Sequence, residues 1–168
     1  LILGVVLAGG RSSRFGSNKA DAVLAGQSLV EHARAQLAPH VAATVIVGGD
    51  AGDIADLPRP GMGPLGGIAG ALDRAARLGY ASVMTIACDM PRVPAALIAA
   101  LAERAPAYCP DAPVLGHWPA ASGVQLIADM QASDDLSVRR WARAIGAVAV
   151  EAALPIPNVN TPADLAAL

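Results

Sequence analysis

Short apolar runs ended by glycines alternate along this chain with longer segments whose apolar residues recur at helical spacing, a pattern that predicts buried strands joined by helices. Ile2 to Leu7 is the first such run. Val41 to Val47 is the second, closed by Gly48, Gly49 and Asp50, and Ala81 to Ala87 is the third. Between them, Leu29 to Leu37 sets Leu29, Val30, Ala33 and Leu37 on one helical side, and GMGPLGGIAG over Gly61 to Gly70 leads into a helix ending near Leu78. Farther on, Pro94 to Arg104 predicts a helix with Pro in its first turn. Ala112 to Leu115 and Gly123 to Ile127 predict shorter strands, Leu136 to Ile145 a helix, and Val148 to Val150 a last strand. No long linker or internal repeat interrupts the alternation. The prediction is an α/β fold, a Rossmann-like three-layer α/β/α sandwich around a mostly parallel sheet, with residues 1–168 as a single domain.

Composition narrows this picture. Hydrophobic residues make up 54% of the chain but aromatics only 3%, so the core is expected to be built from Ala, Val, Leu and Ile. No apolar stretch approaches the roughly 20 residues needed to span a bilayer, and no charged, apolar and small-residue leader is expected. Cys88 and Cys109 sit in apolar contexts without metal-ligand spacing, which predicts reduced core thiols and a cytoplasmic protein. A net charge of −2 and the scarcity of aromatics leave neither a basic face nor a stacking platform for nucleic acid.

The chemistry concentrates in LAGGRSSRFGSNK, Leu7 to Lys19, directly after the first strand. Ligands of open α/β sheets bind beyond the carboxyl ends of the strands, where this loop projects. Gly9 and Gly10 allow a sharp turn that offers backbone N–H groups to an anion, and Arg11, Arg14 and Lys19 can meet phosphate oxygens. A glycine turn with solvated basic residues is the plainer reading. Against it, Lys19 is the only lysine in a chain with 12 Lys and Arg residues. The spacing fits neither a dinucleotide fingerprint nor a P-loop. The second constellation is Ala87-Cys88-Asp89-Met90-Pro91 after the third strand. Asp89 there either holds Mg²⁺ on triphosphate oxygens or caps the turn before the next helix.

Leu7, Ala8, Gly9, Gly10, Ser12, Arg14, Phe15, Gly16, Asn18 and Lys19 all occupy positions of the signature L-A-G-G-x-S-x-R-[MF]-G-x-[DN]-K, and the stretch resembles that of the molybdenum cofactor guanylyltransferases. Three later motifs extend the resemblance. C-D-x-P matches at Cys88 to Pro91. GPLGGI, Gly63 to Ile68, is similar to the family's G-P-L-A-G-I, and NVNTPADL to its closing N-x-N-T-P-x-D-L. Thr161, Pro162 and Asp164 also form a helix-capping box on their own account.

The resemblance implies a fold like that of the nucleotide-diphospho-sugar transferases and Mg²⁺-dependent transfer of GMP from GTP to the phosphate of molybdenum-molybdopterin, releasing pyrophosphate. It makes Arg14, Lys19 and Asp89 catalytic, with Asp89 as the metal ligand. It places nucleotide or acceptor against Leu7, Ala8, Gly9, Gly10, Lys19, Asp56, Gly63, Gly67, Asp89 and Asn160. Molybdoenzymes or their chaperones would receive the product, and neither nucleic acid nor membrane is expected as a partner. Two departures stand out: Gly48 replaces an Asn common after the second strand, and Leu136 an Arg, with Arg139 and Arg140 nearby. The alternatives are a cytidylyltransferase on the same cofactor, whose loop reads L-A-A-G, and a binding protein without turnover. His32, His40 and His117, and Asp134 and Asp135 before a helix, carry structural readings only.

Overall fold

The structure is a computed structural model that describes residues 1–9, 19–49 and 52–168. Its elements run β1 (Ile2–Leu7), β2 (Val23–Leu24), β3 (Gln27–Ser28), α1 (Leu29–Leu37), β4 (Ala43–Val47), α2 (Gly63–Arg77), β5 (Ser82–Ala87), α3 (Ala95–Ala102), β6 (Ala107–Cys109), β7 (Ala112–Pro119), α4 (Gly123–Ala132), α5 (Val138–Ala144), β8 (Val148–Ala149) and α6 (Pro162–Ala166). Six strands form one sheet in the order β4-β1-β5-β7-β6-β8. β1 pairs in parallel with both β4 and β5, β6 pairs in parallel with β8, and β7 alone runs against its neighbours. The expected three-layer α/β architecture around a mostly parallel sheet is present.

Alternation along β1 decides the two faces, because successive side chains point to opposite sides of a strand. Leu3, Val5 and Leu7 pack with α2, α4 and α5, among them Leu65, Ile68, Leu72, Leu126 and Trp141. Val6, with Met84 and Ile86 of β5, packs against Val30, Ala33 and Leu37 of α1 and Leu97, Ile98 and Leu101 of α3. The few aromatics fall together: the Trp118 and Trp141 rings lie 4.8 Å apart at 43°. Trp118 Nε1–H donates to Thr85 Oγ1 at 2.9 Å, and the Thr85 hydroxyl in turn donates to the Val114 carbonyl at 2.6 Å. Both cysteines are free and buried.

One predicted element is wrong in kind. Gly123 to Ile127, read as a strand, belongs to α4. Its buried positions are Gly123, Leu126 and Met130, while Val124 is 83% exposed, which is helical and not alternating spacing. Five apolar residues cannot separate the two periods; the window has to reach Met130. Gly123 is required by proximity, since a Cβ there would sit 2.9 Å from Leu72 Cβ on α2. The strand β6 was not anticipated, because three fully buried residues between prolines show no alternation. β7 runs on past Leu115 to Pro119 and includes His117 and Trp118. Among the described residues no helix is long and apolar enough to cross a membrane.

Candidate active site

β1 and β5 lie side by side and end in register, Leu7 opposite Ala87. Cys88 N–H donates to Leu7 O at 3.1 Å and Ala8 N–H to Val47 O at 2.9 Å, so the segments Ala8–Gly9 and Cys88–Asp89 leave the sheet as neighbours. The chain departs from β1 toward β4 and from β5 toward the opposite side of the sheet, and such a divergence opens a crevice at the strands' carboxyl ends. Because β7 runs antiparallel, its first residues reach the same edge. A cavity of about 1050 Å³ opens there, with Gly9, Lys19, Asp89, Asn158 and Asn160 among its lining residues.

Three sequence motifs meet at its wall. Lys19 Nζ donates to Asp89 Oδ2 and to Asn160 Oδ1, each at 3.0 Å. The Lys19 and Asp89 side chains are only 15% and 22% exposed, so this ion pair is screened less than a surface pair. The C-terminal segment is threaded to Asp89 through its backbone: Val159 N–H donates to Asp89 O at 2.8 Å, and the Val159 side chain is fully buried. Asn158 and Asn160, on either side of it, both line the cavity.

Asn160 is anchored from behind by the capping box of α6. The Asp164 carboxylate accepts from Asn160 N–H at 2.9 Å and Thr161 N–H at 2.8 Å, and Thr161 Oγ1 accepts from Asp164 N–H at 3.2 Å. These hydrogen bonds hold the Asp164 carboxyl below the usual carboxylate range. Cys88, beside Asp89, also borders the cavity. Burial first, and the Asp89 charge second, push its thiol up to about 11, so it is a protonated wall residue and not a nucleophile.

Leu7, Ala8 and Gly9 lie on the cavity; Gly10 and Arg14 lie outside the described residues. The departure at Gly48 has a packing cause. Its φ is +75°, and a Cβ there would lie 2.8 Å from Gly9 Cα and 2.9 Å from Gly9 N, so no larger residue fits while the glycine loop crosses at this distance. Gly63, Gly67 and Asp56 do not line the cavity, although their neighbour Pro64 does. Gly67 is buried, and a Cβ on it would meet Leu7 Cδ2 and Val47 Cγ1 at 3.1 Å. Gly66 next to it leaves room for Met62 and Asp56, whose Cβ atoms would lie 2.6 and 3.2 Å from a Cβ placed there. These glycines seat α2 against the sheet and against the Asp56 segment.

A second depression of about 350 Å³ shares Pro64, Pro113 and Val114 with the cavity and extends to Leu136 and Arg139. Arg139 donates to the Pro110 carbonyl at 2.8 Å, whereas Arg140 pairs with Asp135. Asp111 was overlooked as a cavity residue; its signal was the Pro-Asp turn chemistry between β6 and β7.

The MobA-like NTP transferase domain family matches residues 4–150. The chain is 38% identical, over a 189-residue alignment, to the molybdenum cofactor guanylyltransferase of Rhizobium leguminosarum bv. trifolii (strain WSM2304), covering 98% of this chain and 90% of that one. In fold it is similar to the molybdopterin-guanine dinucleotide biosynthesis protein A of Archaeoglobus fulgidus, with a TM-score of 0.68, 23% identity, and coverage of 98% and 95%. It is also similar to a Mycobacterium tuberculosis protein crystallised in complex with manganese, with a TM-score of 0.61, 17% identity, and coverage of 99% and 96%. With the family model spanning most of the chain and a curated relative aligned along nearly all of it, the chain belongs to the MobA-like NTP transferase family and is a nucleotidyltransferase.

Proposed function

We propose that residues 1–168 form one nucleotidyltransferase domain that transfers GMP from GTP to the phosphate of molybdenum-molybdopterin and releases pyrophosphate. The observation that carries this reading is the meeting of Lys19, Asp89 and Asn160, from three separate motifs, on one cavity at the carboxyl ends of β1 and β5. The guanylyltransferase relative supports the choice of nucleotide and acceptor. Product would pass to molybdoenzymes or their chaperones.

The residues present fit a divalent metal of the Mg²⁺ type. A cation already sits against the Asp89 carboxylate, in the form of the Lys19 ammonium, and the neighbouring Asn158 and Asn160 offer further hard oxygens. Among the described residues no group of three His, Cys, Asp or Glu could hold a metal alone. That suits Mg²⁺, which prefers one or two carboxylates with substrate phosphates and waters to an all-protein cage. Asp89 would hold it, and the metal would supply charge neutralisation on the phosphates.

The chain's own groups then act by placement and charge. The acceptor phosphate is already anionic, so attack on the α-phosphorus needs no base, and catalysis is positioning plus electrostatic stabilisation. Lys19 and Arg14 neutralise charge that accumulates on the departing pyrophosphate. Leu7 to Gly10 present backbone groups to the base and triphosphate. Asp56 contributes to the nucleoside side, and Gly63, Gly67 and Asn160 shape the acceptor side, Gly63 at the start of α2 and Gly67 by letting that helix sit close on the sheet. The buried, protonated Cys88 takes no part. The test is pyrophosphate release by the purified chain, which must require GTP, a divalent metal and molybdenum-molybdopterin together; release that ignores the acceptor would refute the assignment.

A further inference from the structure

The turn that carries Asp89 is held from two sides. On one, Val159 N–H donates to the Asp89 carbonyl at 2.8 Å. On the other stands Gln36, in the last turn of α1. Its Nε2 donates to the Met90 carbonyl at 3.0 Å and to the His32 carbonyl of its own helix at 3.2 Å, while its Oε1 accepts from Val93 N–H at 2.6 Å. Met90 and Val93 are buried, Pro91 has no N–H, and Met90 N–H is taken by the Ala87 carbonyl at 3.2 Å. One side-chain amide therefore spans the segment that follows Asp89. It serves a donor and an acceptor of that segment at once, which an apolar residue of the same volume cannot do.

From this clamp we propose that Gln36 is a positioning residue for nucleotidyl transfer: its amide fixes the Asp89–Val93 turn so that the Asp89 carboxylate faces Lys19 and the cavity. This rests on the reading that Asp89 acts in the reaction. The carboxylate is carried by the first residues beyond β5, outside the sheet's own hydrogen bonds, so its direction depends on what holds the turn. A displacement of about 1 Å at a reacting centre costs on the order of a hundredfold in rate, and freeing the turn on the α1 side removes two of the bonds that prevent it.

Gln36→Met keeps the volume and removes both bonds to the turn. It should lower kcat on the order of tenfold or more with KM for GTP changed by less than about threefold. It should also raise the Mn²⁺ concentration that half-saturates the GTP-bound protein, read from the electron paramagnetic resonance of free Mn²⁺. Arg34→Met, on the same helix but bonded to Thr44 and Glu31, is the control and should leave both readings at wild-type values per folded molecule. If Gln36→Met melts earlier yet keeps wild-type kcat and Mn²⁺ binding, Gln36 is structural only and the inference fails. Should that variant not fold, Gln36→Glu, which retains the acceptor for Val93 and loses the donors, replaces it with the same expected losses and the same refuting result. Asp89→Asn separates the two levels. Turnover in Asp89→Asn overturns the reading of the site itself, whereas an inactive Asp89→Asn beside wild-type Gln36 variants overturns only the role of Gln36.

Discussion

Replacing Lys19 with Ala removes two 3.0 Å contacts from the cavity wall, and the structure allows separate magnitudes for stability and for catalysis. At that separation the gross attraction to Asp89 is about 5–6 kcal/mol for an effective dielectric of roughly 20. Most of this is offset by removing both groups from water. Side chains 15% and 22% exposed stand between a surface pair, worth under about 1 kcal/mol, and a buried one, whose breakage costs about 3–5 kcal/mol. The expected loss of folding stability is therefore about 1–2 kcal/mol, a fall of a few degrees in Tm for a chain of this size. The catalytic loss should be larger, about 2–4 kcal/mol for one preorganised electrostatic contact, which is roughly 30- to 900-fold in kcat/KM. Urea unfolding and steady-state pyrophosphate release measure the two terms on one preparation. Lys19→Arg should recover only part of the rate, because a planar fork does not reproduce a compact charge. A Lys19→Ala protein with kcat/KM within about threefold of wild type would show that the lysine serves only the fold.

The same ion pair predicts that Lys19→Gln binds free Mn²⁺ more tightly than wild type when no nucleotide is present, because the ammonium competes for Asp89; unchanged affinity by calorimetry would contradict this. Gly116→Ala should destabilise the protein by about 1–3 kcal/mol, since its Cβ would lie 2.2 Å from the buried Trp118 indole, and a denaturation midpoint equal to wild type would refute the packing. His117 is neutral in the fold: Nδ1–H donates to the Leu101 carbonyl at 3.0 Å and Nε2 accepts from Ser82 Oγ at 2.7 Å. Burial holds its pKa below the ordinary 6.5, so the unfolded chain binds a proton that the native state does not as pH falls beneath that value. Stability should decline with acidification from about pH 6.5 toward the lower native pKa, and an unfolding series in which His117→Gln loses as much stability over this range as wild type would count against it.

Much of the site was legible because it sits on backbone that the sequence marks strongly. Glycines after β1, an Asp after β5 and a capping box with Pro at its first position each announce a strand or helix end, and the parallel register of β1 and β5 brings the first two together. The carboxyl edge of the sheet follows from the alternation of elements. What was not legible depends on long-range contact. The amide of Gln36 looks like any polar position on an amphipathic helix until Met90 and Val93 are placed against it. The close approach of Leu7 and Val47 to Gly67 within GPLGGI is likewise visible only once α2 lies on the sheet. Gly48 reads in the sequence only as a departure from the family's Asn, and its packing role lies in the approach of Gly9. The helix α4 was missed because its buried residues are spaced beyond the short run that suggested a strand.

Base choice tests guanylyl transfer most directly. Among the described residues only Gly48 Cα lies near a hypothetical Cβ on Gly9, at 3.5 Å, so Gly9→Ala should fold while narrowing the space for a purine. A site that pairs backbone groups with the guanine edge rejects cytosine by leaving buried donors and acceptors unmet, at about 1–3 kcal/mol each. With molybdenum-molybdopterin as acceptor, transfer of label from α-labelled GTP should exceed that from CTP by at least about tenfold in kcat/KM, and Gly9→Ala should shrink the ratio. Equal use of the two nucleotides, or a preference for CTP, would contradict the account.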